Sequence, residues 1–169
     1  MQDQEGSVTV SCRDACEQID GIKFDSKRRA TEPATESEVA QLRSVIGSIG
    51  WIARQCRGDL SYDASSGQGA VCRATVQDLK NANGAVGKCK LYSTKGLHYK
   101  AGAIDWSTAV LVTISDASFA QDQYVDSQGN VKIHRSQIGR VHVLAEPSIL
   151  DTAFANCHII SHASMTNKR

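Results

Sequence analysis

Ala109-Val110-Leu111-Val112-Thr113-Ile114-Ser115-Asp116-Ala117-Ser118-Phe119-Ala120 is an apolar, β-branched run with a single acid in it. Val, Ile and Thr suit the pleated conformation, so the stretch reads as a buried strand that delivers one carboxylate, Asp116, at its C-terminal end. A hard divalent cation such as Mg²⁺ takes oxygen ligands, commonly one or two carboxylates plus the substrate's phosphates. A carboxylate on a rigid strand end therefore suits half of such a site. The competing reading is local, since an aspartate at a strand end also caps or turns the chain.

Downstream the pattern stays extended. A polar loop carrying Asp122, Asp126 and Gly129 leads to short strands at 131–133, Arg140 to Ala145 and His158 to Ser161. Short strands in succession favour an antiparallel meander. The loop lacks the alternating ligand spacing and terminal Glu of a calcium-binding loop, and it reads as a hairpin connection.

Upstream the period changes to that of a helix. Thr35 and Glu38 form a T-x-x-E capping box, and Val39, Leu42, Ile46, Ile49, Ala53 and Cys56 recur on one face, which predicts a helix over 36–56. Arg43, Arg54 and Arg57 fall off or beside that stripe, facing solvent or a nucleic-acid backbone. Gly58 to Ala70, with three glycines and three serines, is expected to break the chain. A second helix over Thr75 to Lys90 follows from the Thr75/Asp78 cap and from Val76, Leu79, Ala82, Val86 and Cys89. Its Gly84 and Gly87 cost about 1 kcal/mol each against alanine. Ahead of all this, residues 7–12 alternate like a strand, Asp14 to Ile22 suits a short helix, and Lys23 to Ala34 is a basic linker containing Pro33.

Between Lys80 and Ile104 stand five lysines (Lys80, Lys88, Lys90, Lys95, Lys100) and no Asp or Glu, with Tyr92 and Tyr99 interleaved. Two readings stand side by side: a solvated face, or a track along which Lys88, Lys90, Lys95 and Lys100 pair with phosphates. Leu97 to Lys100 reads as a short strand.

Composition bounds the rest. The 169 residues are 41% hydrophobic and 22% charged, enough for one globular domain or two small units. With only 5% aromatics the core leans on Val, Ile, Leu and Ala. A formal net charge of +1 gives no global attraction to nucleic acid, so any binding rests on local patches. The six cysteines include no C-x-x-C pair and no cluster with His, which argues against zinc or a redox motif and for a reducing, intracellular setting. Cys56 and Cys89 take apolar helix positions as small hydrophobes. No apolar run approaches the ~20 residues of a membrane span, and no feature calls for a small-molecule ligand.

Taken in order, Glu38 to Arg57, Gly58-Asp59-Leu60-Ser61-Tyr62, Ala74 to Lys80, Ser93-Thr94-Lys95-Gly96-Leu97, Ala103 to Ser107 and Ser115-Asp116-Ala117-Ser118-Phe119 resemble the Pol polyprotein of copia-class LTR retrotransposons. The resemblance runs over roughly residues 8 to 169, from the end of the reverse transcriptase through the connection into ribonuclease H. Its best single motif is Gly-x-x-x-Trp-x-x-x-x-x-Arg-x-Asp-Leu-Ser-Tyr, from Gly47 to Tyr62. The resemblance implies three regions: 1–34 as polymerase thumb tail and linker, 35–104 as a helical connection, and 105–169 as the N-terminal half of a ribonuclease H-like domain. The fold expected is α+β, a helical segment followed by an incomplete antiparallel three-stranded sheet. Asp116 becomes the first catalytic, metal-binding carboxylate, Arg135-Ser136-Gln137-x-Gly139-Arg140 opens the second strand, and Cys157 to Ala163 is the third. Copia-class chains carry proline where Gly58 stands and apolar helix where Ser66-Gly67-Gln68-Gly69 stands, so this connection departs from the pattern.

The chemistry so implied is two-metal hydrolysis of the RNA strand of an RNA/DNA hybrid, with Mg²⁺ held by several carboxylates. The resemblance puts the other carboxylates after Arg169 and the polymerase Tyr-x-Asp-Asp before residue 1. The piece is then inactive alone and works with the rest of the polyprotein. Two further readings are a non-catalytic nucleic-acid-binding relic and a poorly folding translated pseudogene. Ser118, His134 and Asp122 hold the atoms of a hydrolase triad, but no Gly-x-Ser-x-Gly elbow surrounds the serine.

Overall fold

The capping box read from Thr35 and Glu38 opens the longest helix of the fold. In a computed structural model that describes residues 2–3, 5–118, 123–125, 131–133, 137–152 and 154–166, the Thr35 N–H donates to Glu38 Oε2 at 2.7 Å and the Glu38 N–H donates to Thr35 Oγ1 at 3.3 Å. Two orphan donors are thereby satisfied at the helix start. Arg28 adds a two-pronged contact to the same carboxylate at 2.7 and 2.9 Å. Asp122, Asp126, Gly129, His134 and the Arg135-Ser136 opening lie outside the described residues.

In chain order the elements are β1 (Val8–Ser11), α1 (Arg13–Gln18), α2 (Glu36–Gln55), α3 (Ser61–Ala70), α4 (Val76–Leu91), β2 (Gly96–Tyr99), β3 (Val110–Ser118), β4 (Gln123–Val125), β5 (Val131–Ile133), β6 (Gln137–Ala145) and β7 (Cys157–Thr166). Short 3₁₀ turns stand at Gly58–Leu60, Val71–Arg73 and Pro147–Leu150. Helix and antiparallel sheet together make this an α+β chain. It divides into two compact units, Thr9–Leu97 and His98–Arg169 with Gln2–Val8. β1 and β2 form a two-stranded sheet.

The helical unit buries Leu42, Ile46, Ile49 and Ile52 of α2 against Leu60, Ala64, Leu79, Ala82 and Val86, with Cys16, Ile19 and Ile22 from the leading segment. Each fully buried large aliphatic contributes about 1.5–3 kcal/mol. The leading segment is held by Asn83, which accepts from the Ile22 N–H at 2.7 Å and donates to the Ile22 carbonyl at 2.9 Å. α4 opens on Thr75, whose N–H and hydroxyl both donate to Asp78.

Two expectations for the helical unit need correction. Ser61–Ala70 is an α-helix and not a break. Tertiary packing overrides weak local propensity there: Leu60 and Ala64 are buried, and Gly67 faces Ile46 so closely that a Cβ would overlap its Cδ1. Arg57, expected at the helix margin facing solvent or a phosphate backbone, is 1% exposed. Its Nε and Nη2 donate to Asp59 at 2.9 Å each and its Nη1 donates to the Tyr92 carbonyl at 2.7 Å.

In the second unit β3, β6 and β7 form an antiparallel sheet in the order β3-β6-β7, and β4 pairs with β5 as a separate hairpin. The register sets Val110 opposite Ala145, Val112 opposite Val143, Ile114 opposite Val141 and Asp116 opposite Gly139. β6 pairs with β7 through a bulge between His142 and Val143. β3 is less buried than its composition suggests, with Leu111 66% and Ile114 56% exposed. Burial is concentrated at Val143, Ala145, His158 and Ile104.

Candidate nucleic-acid interface and metal centre

Asp116 sits on β3 two residues before its end, with an exposed side chain. Across the sheet at its level, the partner on β6 is Gly139 and the next, on β7, is Ser164. Neither carries a carboxylate. Among the described residues no group of three or more His, Cys, Asp and Glu side chains is placed to hold a metal ion. Two-metal chemistry needs several oxygen ligands converging on a pair of cations. The donor set around Asp116 therefore does not fit a complete Mg²⁺ centre: among the described residues of the sheet at its level Asp116 is a lone carboxylate.

The four lysines occupy different settings. Lys88, in the last turns of α4, is engaged: its Nζ donates to the Asp59 carbonyl at 2.8 Å and to Asp63 Oδ2 at 3.1 Å. Lys90 is exposed at the end of the same helix, where a cation also complements the helix dipole. Lys95 is exposed in the following turn, its Nζ 4.3 Å from the centre of the Tyr92 ring. Lys100 is exposed too, but belongs to the second unit.

The Gly47-x-x-x-Trp51 motif acquires a face in the structure. α2 turns Arg43, Gly47 and Trp51 outward at four-residue steps, and with Ala15 and Ile19 they line an open groove of about 730 Å³. Trp51 is 50% exposed, and nothing lies within 4 Å of where a Gly47 Cβ would stand. Small residues between an indole and a guanidinium leave room for a flat or extended ligand. Sequence reasoning assigned Gly47 and Trp51 no role as a binding face. The signal was present, because Arg43, Gly47 and Trp51 fall off the apolar stripe at helical spacing.

Electrostatics around the helical unit are local and paired. The Arg57 hydrogen bond holds the Asp59 carboxyl below its usual range, against some loss from burial. The Thr35 N–H, then Arg28, does the same for Glu38. Burial pushes the Cys56 and Cys89 thiols up to about 12, so neither is a ready nucleophile. Two histidines of the sheet unit are engaged structurally. His142 Nδ1 shares a 2.8 Å hydrogen bond with Thr113 Oγ1 across β3 and β6. His158 packs edge-on to Tyr99 and Trp106, with ring centroids 5.3 and 6.1 Å away. The candidate triad of Ser118, His134 and Asp122 has its histidine and aspartate outside the described residues.

No helix among the described residues is long and apolar enough to cross a membrane. The comparisons with known proteins returned nothing: no family model, no curated protein and no solved structure matches this chain.

Proposed function

We propose that this chain is a segment of a copia-class retrotransposon polyprotein, joining the end of a reverse transcriptase to the start of a ribonuclease H-like domain. Its parent would copy RNA into DNA and cleave the RNA strand of the hybrid, with Mg²⁺ supplied to a site completed by residues beyond this chain. The observation that carries the reading is the sequence of architectures. A capped helical unit bearing an outward Arg43, Gly47, Trp51 face is followed by an antiparallel β3-β6-β7 sheet with an exposed Asp116 on its first strand.

Two further features support it. The motif residues Arg57, Asp59 and Leu60 are the ones that lock the end of α2, so the best-matching block is also a structural unit. Leu111 and Ile114 stand exposed on β3, as expected of a sheet that receives further cover in a larger assembly. The helical unit binds hybrid backbone through Lys90, Lys95 and the α2 groove, and the second unit does so through Lys100, while Lys88 mainly tethers α4 to Asp59 and Asp63. The rest of the polyprotein is its partner, and its setting is intracellular.

Fluorescence anisotropy of a labelled RNA/DNA hybrid tests the binding half. Affinity should fall with salt, and the double change Lys90→Glu, Lys95→Glu should weaken it and flatten the log–log salt slope by about one unit for each lysine–phosphate pair removed. Asp116→Asn should leave binding unchanged. Binding that ignores salt and both lysines would overturn the assignment of this face.

A further inference from the structure

β3 ends the β3-β6-β7 sheet: β6 pairs with one side of it, and among the described strands nothing pairs with the other. An open side is a row of backbone donors and acceptors that another strand can extend, and proteins ordinarily blunt it with lysine, proline or a bulge. β3 uses none of these. Its 9 residues include no Lys, Arg, Pro or Gly and a single acid near the end. All of them pair with β6 in unbroken register. The opposite edge, β7, is blunted, because its ladder breaks between His142 and Val143 and leaves Ile160 opposite no residue. Leu111, Thr113, Ile114, Ser115, Asp116 and Ala117 of β3 are all exposed.

We infer that the β3 edge is an interface for a second copy of this chain, the two strands pairing antiparallel about a two-fold axis at Ile114 into one continuous sheet, β7-β6-β3-β3-β6-β7. The strand is self-complementary in that register. Ile114 is the middle residue of Val110–Ser118, so the whole strand is used. Ile114 meets Ile114 of the second copy, Thr113 meets Ser115, Val112 meets Asp116, Leu111 meets Ala117 and Val110 meets Ser118. Directly opposed aliphatic and hydroxyl pairs of this kind are what stabilise a ladder. The two Asp116 carboxylates stand four positions apart, about 14 Å along the strands, beyond the ~8 Å screening length at physiological salt. Parallel in-register stacking would instead set Asp116 directly against Asp116. Val110, Val112 and Ile114 share a face with Val141, Val143 and Ala145, so antiparallel pairing also runs the apolar row of one copy into that of the other.

The pairing closes on itself. A two-fold contact consumes both β3 edges, and the blunted β7 offers no template for a third copy, so the assembly stops at a dimer. A strand of this length spans about 30 Å, and edge pairing alone buries less than the roughly 1,200–2,000 Å² of a stable interface, so the dimer is weak and its population follows concentration. Nothing from a larger polyprotein is needed for it.

Sedimentation equilibrium of the 169-residue chain over a concentration series, with hydrogen exchange read by mass spectrometry on the same samples, tests this. The weight-average mass should climb from 18.2 kDa toward twice that value and no further. Amides of Val110–Ser118 should gain protection as it climbs, while those of Cys157–Thr166 do not. Ile114→Lys places two ammonium groups on the axis and should hold the chain at monomer mass with its far-UV circular dichroism unchanged. Ile160→Lys, at a similarly exposed aliphatic on β7, should leave the dimer in place. The exchange pattern decides on the unmodified chain whatever the fold of the variants. A monomer at every concentration, a mass that passes two copies, a dimer that survives Ile114→Lys, or protection gained along β7 in place of β3 would overturn the proposal.

Discussion

Replacing Asp59 by Asn should damage the helical unit more than replacing Arg57 by Met, although Arg57 is the larger and more buried side chain. Asp59 accepts two charge-assisted bonds from Arg57 at 2.9 Å each. The asparagine keeps one neutral acceptor and leaves a guanidinium, 1% exposed, without its counter-charge. Removing one partner of a fully buried pair costs about 3–5 kcal/mol. The Asp59 side chain is 42% exposed, so water still reaches that side of the pair and the expected loss is smaller, about 2–3 kcal/mol. In Arg57→Met the carboxylate left behind rehydrates, the methionine fills most of the space, and the main loss is the 2.7 Å bond to the Tyr92 carbonyl, about 1–2 kcal/mol. Urea unfolding followed by far-UV circular dichroism reads both. The pH dependence provides a second check. Arg57 lowers the Asp59 pKa in the folded state, so the contribution is fully present above the unfolded value of about 3.9 and is lost as pH falls through the lower folded value. Wild type should lose stability more steeply than Asp59→Asn below about pH 4. An Asp59→Asn protein within about 0.5 kcal/mol of wild type, or one more stable than Arg57→Met, would be incompatible with a buried guanidinium that depends on this carboxylate.

The α3 glycines should part company: Gly67→Ala drives a Cβ into Ile46 and should cost about 1–3 kcal/mol, partly recovered by Ile46→Val, whereas Gly69→Ala enters open space and should gain about 0.5–1 kcal/mol, both read from thermal melts. Glu38→Gln weakens the Arg28 clamp while keeping the capping geometry, so its loss should be about 1 kcal/mol by urea unfolding and should vanish in acid. Trp51→Ala at the exposed groove should leave the unfolding midpoint within about 0.5 kcal/mol of wild type yet weaken single-strand or hybrid binding in an anisotropy titration.

Much of the fold was legible because local and tertiary signals agreed. α2 and α4 announce themselves by Thr35/Glu38 and Thr75/Asp78 and by an apolar stripe that the core then uses, and β3 by its β-branched run. α3 was hidden because its stabilisation lies in the packing of Leu60, Ala64 and Gly67 against α2, which a Gly- and Ser-rich window does not encode. Arg57 was misread because periodicity sees only its place after the stripe. Its partners are Asp59, two residues on, and the Tyr92 carbonyl, 35 residues away. β6 and β7 extend through polar positions such as Gln137 and Ser164 because ladder pairing, not hydrophobicity, sets their length. Of the candidate site, Asp116 and the five-lysine stretch could be picked out in the sequence as candidates, but not the different settings of those lysines. The engagement of Lys88 by Asp63 was not visible, since that pair joins α3 to α4.

The retrotransposon assignment is tested most directly by sequencing the locus and its transcript in frame on both sides of the region encoding residues 1–169. A Tyr-x-Asp-Asp polymerase motif is expected upstream, and a helix carrying further catalytic acids downstream, completing the site that Asp116 begins. Stop codons or unrelated coding sequence immediately on both sides would contradict the assignment.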